Sequence, residues 1–434
     1  MAGARSLAVK LLNKMESSAA YSNLLLDEAL SRSQLPAQDK KFVSALFYDT
    51  LERAYILDEI IKANLTNPGA KLSIEVRNIL RTGIYQLLYM DSVPDNAAVD
   101  ESVKLAKRCK NPALAGFVNG LLRSFIRSGK QLPKCKDKEQ QLALDYSCPV
   151  WLVRKWRREY GDKTAEAILS ASLGQPPTTV RANTLKMPAD QIAEVLRSDG
   201  FKCEPSPRTA DCFRIAGAGI EQSRAYSDGL IHVQDISCML CCKALGARPG
   251  ETVLDICSAP GGKAFTVAEL MQDKGRLLAF DLHENRVRLI RSGAQRLGLS
   301  IIEAQTNDGK VFNNARPQAD RVLCDVPCSG LGVIRRKPEI KYKDPAEFER
   351  LPQVQYEILS TSSGYVKPGG TLVYSTCTLS RAENDEVTER FLKEHLDFEA
   401  GSLPDKLGSG RDITVTPDMF GSDGFYIAIF VRRK

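Results

Sequence analysis

Thr252-Val253-Leu254-Asp255-Ile256-Cys257-Ser258-Ala259-Pro260-Gly261-Gly262-Lys263 is the stretch on which the fold turns. It opens, after Pro249-Gly250, as a short apolar run of the kind that forms a buried strand, and it closes in adjacent glycines. Residues 265–271 then read as a helix ended by Gly275. Working outward, residues 277–281 give a second strand, 321–325 the fourth, and 371–374 the fifth, preceded by Pro368-Gly369-Gly370. Strands alternating with helices predict a doubly wound, Rossmann-like α/β sheet over 246–434. Such sheets bind ligands beyond the carboxyl ends of their strands, where Cys257, Asp281, Asp325, Cys328 and Cys377 all fall.

The glycine loop is neither of two common phosphate-binding patterns. Cys257 stands where a P-loop needs its first glycine, no Ser or Thr follows Lys263, and Gly-x-Gly-x-x-Gly is absent. A tight turn would account for the glycines alone. With Asp281 at the end of the next strand, however, a carboxylate is placed to bind the ribose of a nucleoside cofactor. Asp308, in Thr306-Asn307-Asp308-Gly309, reads equally as a turn residue and as a site residue.

Two thiols define the chemistry. Cys328 lies in Asp325-Val326-Pro327-Cys328-Ser329-Gly330 and Cys377 in Ser375-Thr376-Cys377-Thr378, each just past a strand. Carbon 5 of cytosine is a poor nucleophile until a thiolate adds at carbon 6 and turns the ring into an enamine that can attack a methylsulfonium. A carboxyl group such as Asp325 eases that addition by hydrogen-bonding or protonating ring nitrogen 3. The adduct must later lose the carbon 5 proton and expel the thiolate, which gives a second thiol something to do. The residues alone do not say which thiol attacks.

Composition restricts the alternatives. Three histidines, His232, His283 and His395, leave little for a histidine metal site or a Ser-His-Asp triad. Cys238, Cys241 and Cys242 contain one Cys-x-x-Cys without a second pair, so buried thiols are expected rather than zinc, and no metal is expected. Twelve irregularly spaced cysteines suggest a reducing, cytoplasmic setting. No apolar run is long enough for a bilayer, Met1 to Lys14 lacks a signal-peptide core, and a monomer is expected. A net charge of +7 suits a polyanionic partner.

The front of the chain is helical. Val76, Ile79, Leu80, Ile84, Leu87 and Leu88 form one apolar stripe, and Phe117, Leu121, Leu122 and Phe125 another, which predicts an all-α domain over 1–130. Lys104, Lys107, Arg108 and Lys110 make a basic cluster that suits RNA or a solvated helix face equally. Residues 131–145 read as a polar linker. Over 146–245 the pattern is mixed, with helices from Val150 and over 189–196 and strands at 178–181 and 229–233, predicting a small α/β subdomain.

Three front-end segments, Ala4-Arg5-Ser6-Leu7-Ala8-Val9, Arg81-Thr82-Gly83-Ile84-Tyr85-Gln86-Leu87-Leu88 and Asn119-Gly120-Leu121-Leu122-Arg123, resemble the RNA-binding antitermination factor NusB. The remainder resembles the RNA cytosine-5 methyltransferases through 325–338, Leu372-Val373-Tyr374-Ser375-Thr376-Cys377-Thr378-Leu379 with Glu383-Asn384, and Asp423-Gly424-Phe425-Tyr426. Together these are similar to the RsmB/Sun/Fmu family of bacterial 16S ribosomal RNA methyltransferases. The resemblance implies S-adenosyl-L-methionine held by Cys257, Ser258, Ala259, Pro260, Gly261, Gly262 and Lys263, with Asp281 on the ribose, Asp308 near the adenine and Asp325 near the methionine end and the base. It implies further that Cys377 is the nucleophile and that Cys328 helps resolve the adduct. Ser258, Ala264 and Val326 depart from the family's usual residues by a methyl or a hydroxyl. Two other readings remain: the same chemistry on transfer RNA, and a non-catalytic RNA-binding assembly factor.

Overall fold

The computed structural model describes residues 2–18, 21–111, 113–206, 209–217, 219–404, 408 and 410–434. The chain forms two compact units, Met1–Gly174 with Ile334–Lys343, and Gln175–Val333 with Asp344–Lys434.

The first unit is helical among its described residues. The apolar stripes become its core: Val76, Ile79, Leu80, Ile84 and Leu87 on helix Ile74–Tyr89 are buried with Leu121, Leu122 and Phe125 of helix Leu114–Arg127. Gly83 lets these elements approach closely, since a Cβ there would stand 2.8 Å from Ser102 Oγ and 3.1 Å from Leu122. Arg81 is buried on the same helix and satisfied by Asp58 at 2.7 and 2.5 Å. Lys104, Lys107, Arg108 and Lys110 are exposed, and Lys104 is paired with Glu101 at 2.6 Å.

One expectation changes here. The stretch read as a linker contains helix Lys138–Asp145, capped by Asp137, whose side chain accepts from Gln140 N; an N-cap and two apolar residues, Ala143 and Leu144, are enough to build a helix without a long stripe. Helix Val150–Ala171 groups with this unit, which runs to Gly174. The unit also takes in Ile334–Lys343 from much later in the chain. Lys341 in that segment is buried and donates to Glu52 O at 2.8 Å and Ser147 O at 3.0 Å, while burial lowers its pKa.

The second unit holds two sheets. Strands β1 (Thr178–Ala182), β2 (Lys202–Pro205), β3 (Cys212–Ala216) and β4 (Ile231–Val233) pair antiparallel in the order β2-β3-β1-β4, with helix Ala189–Ser198 contributing Ile192, Ala193 and Leu196 to their core. The larger sheet comprises β5 (Thr252–Asp255), β6 (Arg276–Asp281), β7 (Ile302–Thr306), β8 (Ala319–Asp325), β9 (Val366–Thr376), β10 (Phe398–Ala400), β11 (Asp412–Val415) and β12 (Phe425–Arg432). Its order is β10-β12-β9-β8-β5-β6-β7, with β11 on β12. The strands from β5 to β9 are parallel, and β12 returns antiparallel on β9.

Alternate residues of these strands supply two separate cores, which is why they read as unbroken apolar runs. Val253, Leu277, Leu323, Val373 and Ile427 face one layer of helices; Leu254, Leu278, Val322, Leu372 and Tyr426 face the other. Pro368-Gly369-Gly370 lies inside β9 rather than before it, near a register shift between Ala319 and Arg321 of β8. The direction of winding reverses between β5 and β8, and sheets of this kind bind ligands beyond the carboxyl ends of the strands at that point. Among the described residues no helix is long and apolar enough to cross a membrane.

Candidate active site

The loop after β5 is fixed by backbone bonds. Ser258 N donates to Phe280 O at 2.7 Å and Gly261 N to Ser258 O at 2.8 Å, around a cis Ala259-Pro260 bond. Gly261 has φ +111°, and a Cβ there would lie 2.3 Å from the Phe265 ring, so only glycine fits. Gly262 and Lys263 open helix Gly262–Leu270, three residues earlier than the apolar pattern suggests. Gln234, which the sequence did not single out, donates to Gly262 O at 2.8 Å and accepts from the Thr266 hydroxyl at 2.7 Å. Cys257, Ser258, Ala259, Pro260, Gly261 and Gly262 thus form one tied loop over the ends of β5 and β6.

Carboxylates ring this loop. Asp281 is 4 % exposed at the end of β6; its Oδ1 accepts from His283 N at 3.3 Å, and Arg286 stands 3.4 Å from Oδ2 while donating to Ala259 O at 2.9 Å. Asp308 accepts from Lys310 N at 3.0 Å, making the turn after β7. Asp255 is the residue the sequence passed over. It is 1 % exposed beneath the loop, and neither its carboxylate oxygens nor the Ser258 hydroxyl makes a hydrogen bond of normal geometry. Buried polar atoms left over at a loop of this kind fit a polar, cationic cofactor such as S-adenosyl-L-methionine.

Burial pushes Asp255 up to about 7, against the nearby Ser258 hydroxyl, which pulls it down. An acid raised in the folded state holds a proton that the unfolded chain has released, so its contribution to stability is present below about 4 and lost as pH rises to about 7. Asp255→Asn should remove that loss. Melts of both proteins from pH 4 to 8 should converge at the acid end and diverge on the order of 4 kcal/mol at most at the neutral end. Parallel curves would mean that Asp255 titrates normally.

The other candidate residues lie across β8 and β9. Asp325 ends β8 opposite Ser375 in register; its Oδ2 accepts from Lys263 Nζ at 2.7 Å and its Oδ1 from Ser375 Oγ at 2.8 Å. Burial works against the Lys263 ammonium, but the charge and hydrogen bond of Asp325 hold its pKa well above the usual range, and the ring of Phe425 lies 5.0 Å away. Lys263 therefore faces the carboxylate of Asp325, whereas the sequence had grouped it with the cofactor loop.

Cys328 and Cys377 meet, with their sulfurs 3.2 Å apart. Contact with Cys377, then burial, keeps the Cys328 thiol well above its ordinary pKa. Asn384 straddles the second thiol, accepting from Thr376 Oγ1 at 2.6 Å and donating to Thr378 O at 3.0 Å. Gly332 N donates to Cys377 O at 3.0 Å and Gly424 N to Gly332 O at 2.8 Å, so the late Asp423-Gly424-Phe425-Tyr426 motif packs directly on both cysteine turns. Cys241 and Cys242 are buried and Cys238 half-buried, and Cys242 lies 3.6 Å from Lys263 O. Among the described residues no group of three or more His, Cys, Asp or Glu side chains is placed to hold a metal.

Three family models match successive parts of the chain: the NusB family over 2–127, the ferredoxin-like domain of RsmF/B-like methyltransferases over 148–220, and the 16S rRNA methyltransferase RsmB/F over 242–431. A probable ribosomal RNA small subunit methyltransferase B from Bacillus subtilis is 40 % identical, covering 99 % of this chain and 98 % of its own. One of the same name from Synechocystis sp. is 34 % identical over 99 % of both. A crystallised methyltransferase homolog protein from Pyrococcus horikoshii, 27 % identical, covers 69 % of this chain and all of its own with a TM-score of 0.60. With a full-length match at this identity and all three domain models in order, the chain belongs to the ribosomal RNA small subunit methyltransferase B family.

Proposed function

We propose that this chain transfers a methyl group from S-adenosyl-L-methionine to carbon 5 of a cytidine in 16S ribosomal RNA, through a covalent adduct between Cys377 and carbon 6. The observation that carries the reading is the pair of thiols 3.2 Å apart beside the Asp325–Lys263 pair. A scaffold without chemistry has no use for that arrangement. The names of its full-length relatives support ribosomal RNA of the small subunit as substrate.

Bound S-adenosyl-L-methionine supplies an electrophilic methyl group on sulfur. Asp281 is placed to hold its ribose and Asp308 to flank its adenine, while Asp255 and Ser258 offer polar atoms beneath the loop. Cys377, its own proton lost, adds to carbon 6 while the Asp325–Lys263 pair stabilises charge growing at ring nitrogen 3. Carbon 5 then takes the methyl group. Cys328, as a thiolate whose own proton has passed to solvent, accepts the carbon 5 proton; the bond from Cys377 to carbon 6 breaks with its electron pair returning to sulfur, and the aromatic ring is restored. The target base must be unstacked, because a stacked ring presents neither face to a thiol.

The test is to incubate the purified protein with labelled cofactor and separate 16S and transfer RNA transcripts, then analyse the nucleosides. Label should appear as 5-methylcytidine in the 16S transcript; label in transfer RNA alone, or at another atom, would contradict the substrate or the chemistry respectively. The ribose assignment has its own check. Asp281→Ala should weaken cofactor binding by roughly 1.5–3 kcal/mol, the scale of a hydrogen bond to a charged group, and calorimetry showing unchanged affinity would place the ribose elsewhere.

A further inference from the structure

Glu383 is a carboxylate 2 % exposed in the second unit, and the groups that hydrogen-bond to its side chain are neutral. Its position explains how it is tolerated. Oε2 accepts from Ser329 N at 2.9 Å and from Gln355 Nε2 at 2.9 Å, and Oε1 accepts from Ser329 Oγ at 2.6 Å and, more weakly, from Thr378 Oγ1 at 3.5 Å. Ser329 and Thr378 also touch each other, hydroxyl to hydroxyl, at 2.7 Å. Ser329 follows Cys328 and Thr378 follows Cys377, so one side chain grips the residue next to each thiol. Gln355 extends the grip to the other side of Cys328, donating to Pro327 O at 3.0 Å. The backbone of Glu383 is itself held, its carbonyl accepting from the buried Tyr374 hydroxyl at 2.6 Å.

We propose that Glu383, supported by Gln355, is a positioning residue for the two-thiol reaction, tying the turn that carries Cys328 to the turn that carries Cys377 and so setting the separation at which one sulfur adds while the other waits. This rests on the reading of Cys328 and Cys377 as partners in one methyl transfer. Buried charge is costly, and four neutral donors can hold it only if they are fixed in place. An apolar residue would serve packing alone at least as well, which points to a role in geometry and charge. The charge matters to Cys328 in particular. Contact with Cys377 raises its pKa most, burial next, and the carboxylate of Glu383 adds to both, making the Cys328 thiolate more basic than an ordinary one, as suits the group that takes the carbon 5 proton.

The test compares Glu383→Gln and Gln355→Met with the wild-type chain. Alkylation of Cys328 by iodoacetamide is followed against pH by peptide mass spectrometry, without RNA or cofactor, alongside methylation at saturating cofactor and cofactor affinity by calorimetry. Glu383→Gln should move the Cys328 alkylation midpoint down by about one pH unit, as expected on removing a nearby like charge. It should also slow methylation about tenfold or more, the effect of losing a hydrogen bond to a charged group, with cofactor affinity unchanged. Gln355→Met keeps the charge and loosens the turn, so methylation should fall while the alkylation midpoint stays in place. It stands in for the first variant should that one fail to fold. An unchanged midpoint in folded Glu383→Gln, or wild-type methylation by Gln355→Met, overturns the proposal. Absence of 5-methylcytidine from the wild-type reaction would instead overturn the underlying reading, and the alkylation result would still stand on its own.

Discussion

Cys377→Ala should abolish both methylation and any RNA adduct that survives denaturation, while Cys328→Ala should leave a persistent adduct and little free product. The difference follows from the order of bonds. Without Cys377 nothing adds at carbon 6, so carbon 5 never becomes nucleophilic. Without Cys328 the addition and methyl transfer proceed, but the proton on carbon 5 has no base within reach, and Cys377 cannot leave. The sulfurs are 3.2 Å apart, so either could reach a base brought up beside the pair, and only the variants separate their roles. Denaturing gels of each variant with RNA and cofactor give the answer directly. An adduct with Cys377→Ala and none with Cys328→Ala would exchange the two assignments.

Gly332→Ala should be the most damaging single methyl group that can be added near the site. A Cβ at Gly332 would lie 2.1 Å from Gly424 O and 2.8 Å from Cys377 O. Both are backbone atoms in turns held by hydrogen bonds, and neither can swing aside as a side chain would. Overpacking of this kind costs about 3 kcal/mol at the upper end of its usual range, which corresponds to a fall in Tm of roughly 6–12 °C for a unit of this size. Methylation should fall further than stability alone explains, because the displaced carbonyl belongs to Cys377. Gly120 is the control. It sits in helix Leu114–Arg127 with nothing within 4 Å of its Cβ position, so Gly120→Ala should be neutral or gain up to about 1 kcal/mol of helix propensity. Equal melting temperatures for Gly332→Ala and the wild type would show that the three turns are looser than these distances imply.

The parallel core was legible because burial on both faces leaves a simple trace. Val253-Leu254 and Leu372-Val373 are apolar without alternation, and each neighbour pair divides between two helix layers. What escaped was structure set by partners distant in sequence. Phe425–Arg432 reads as one more apolar run, and only its pairing on β9 makes it an antiparallel strand. Strands β2 and β3 are short, and β2 ends in Pro205, so periodicity had too few residues to work on.

The site divides the same way. Residues carried by contiguous motifs, Cys257 to Lys263, Asp281, Asp325, Cys328 and Cys377, could be named from the sequence. Asp255 lay inside the quoted stretch, yet a strand-end carboxylate with unmatched oxygens is visible only once its burial is known. Gln234, Gln355 and Arg286 carry no local pattern at all. Their importance comes from reaching Gly262, Pro327 and Ala259, each more than twenty residues away. Glu383-Asn384 stood out as a pair, but the reason, that each grips a cysteine turn, is purely tertiary.

The most direct test of the account is to identify the atom that joins protein to RNA. A 16S transcript containing 5-fluorocytidine cannot release the group on carbon 5 as a proton, so the wild-type enzyme should arrest as a covalent complex after methyl transfer. Protease and nuclease digestion followed by mass spectrometry then reads the attached residue. The account predicts a methylated fluorocytidine on the peptide containing Cys377 and none on the peptide containing Cys328. Attachment at Cys328, or methylation with no attachment to either thiol, would contradict it.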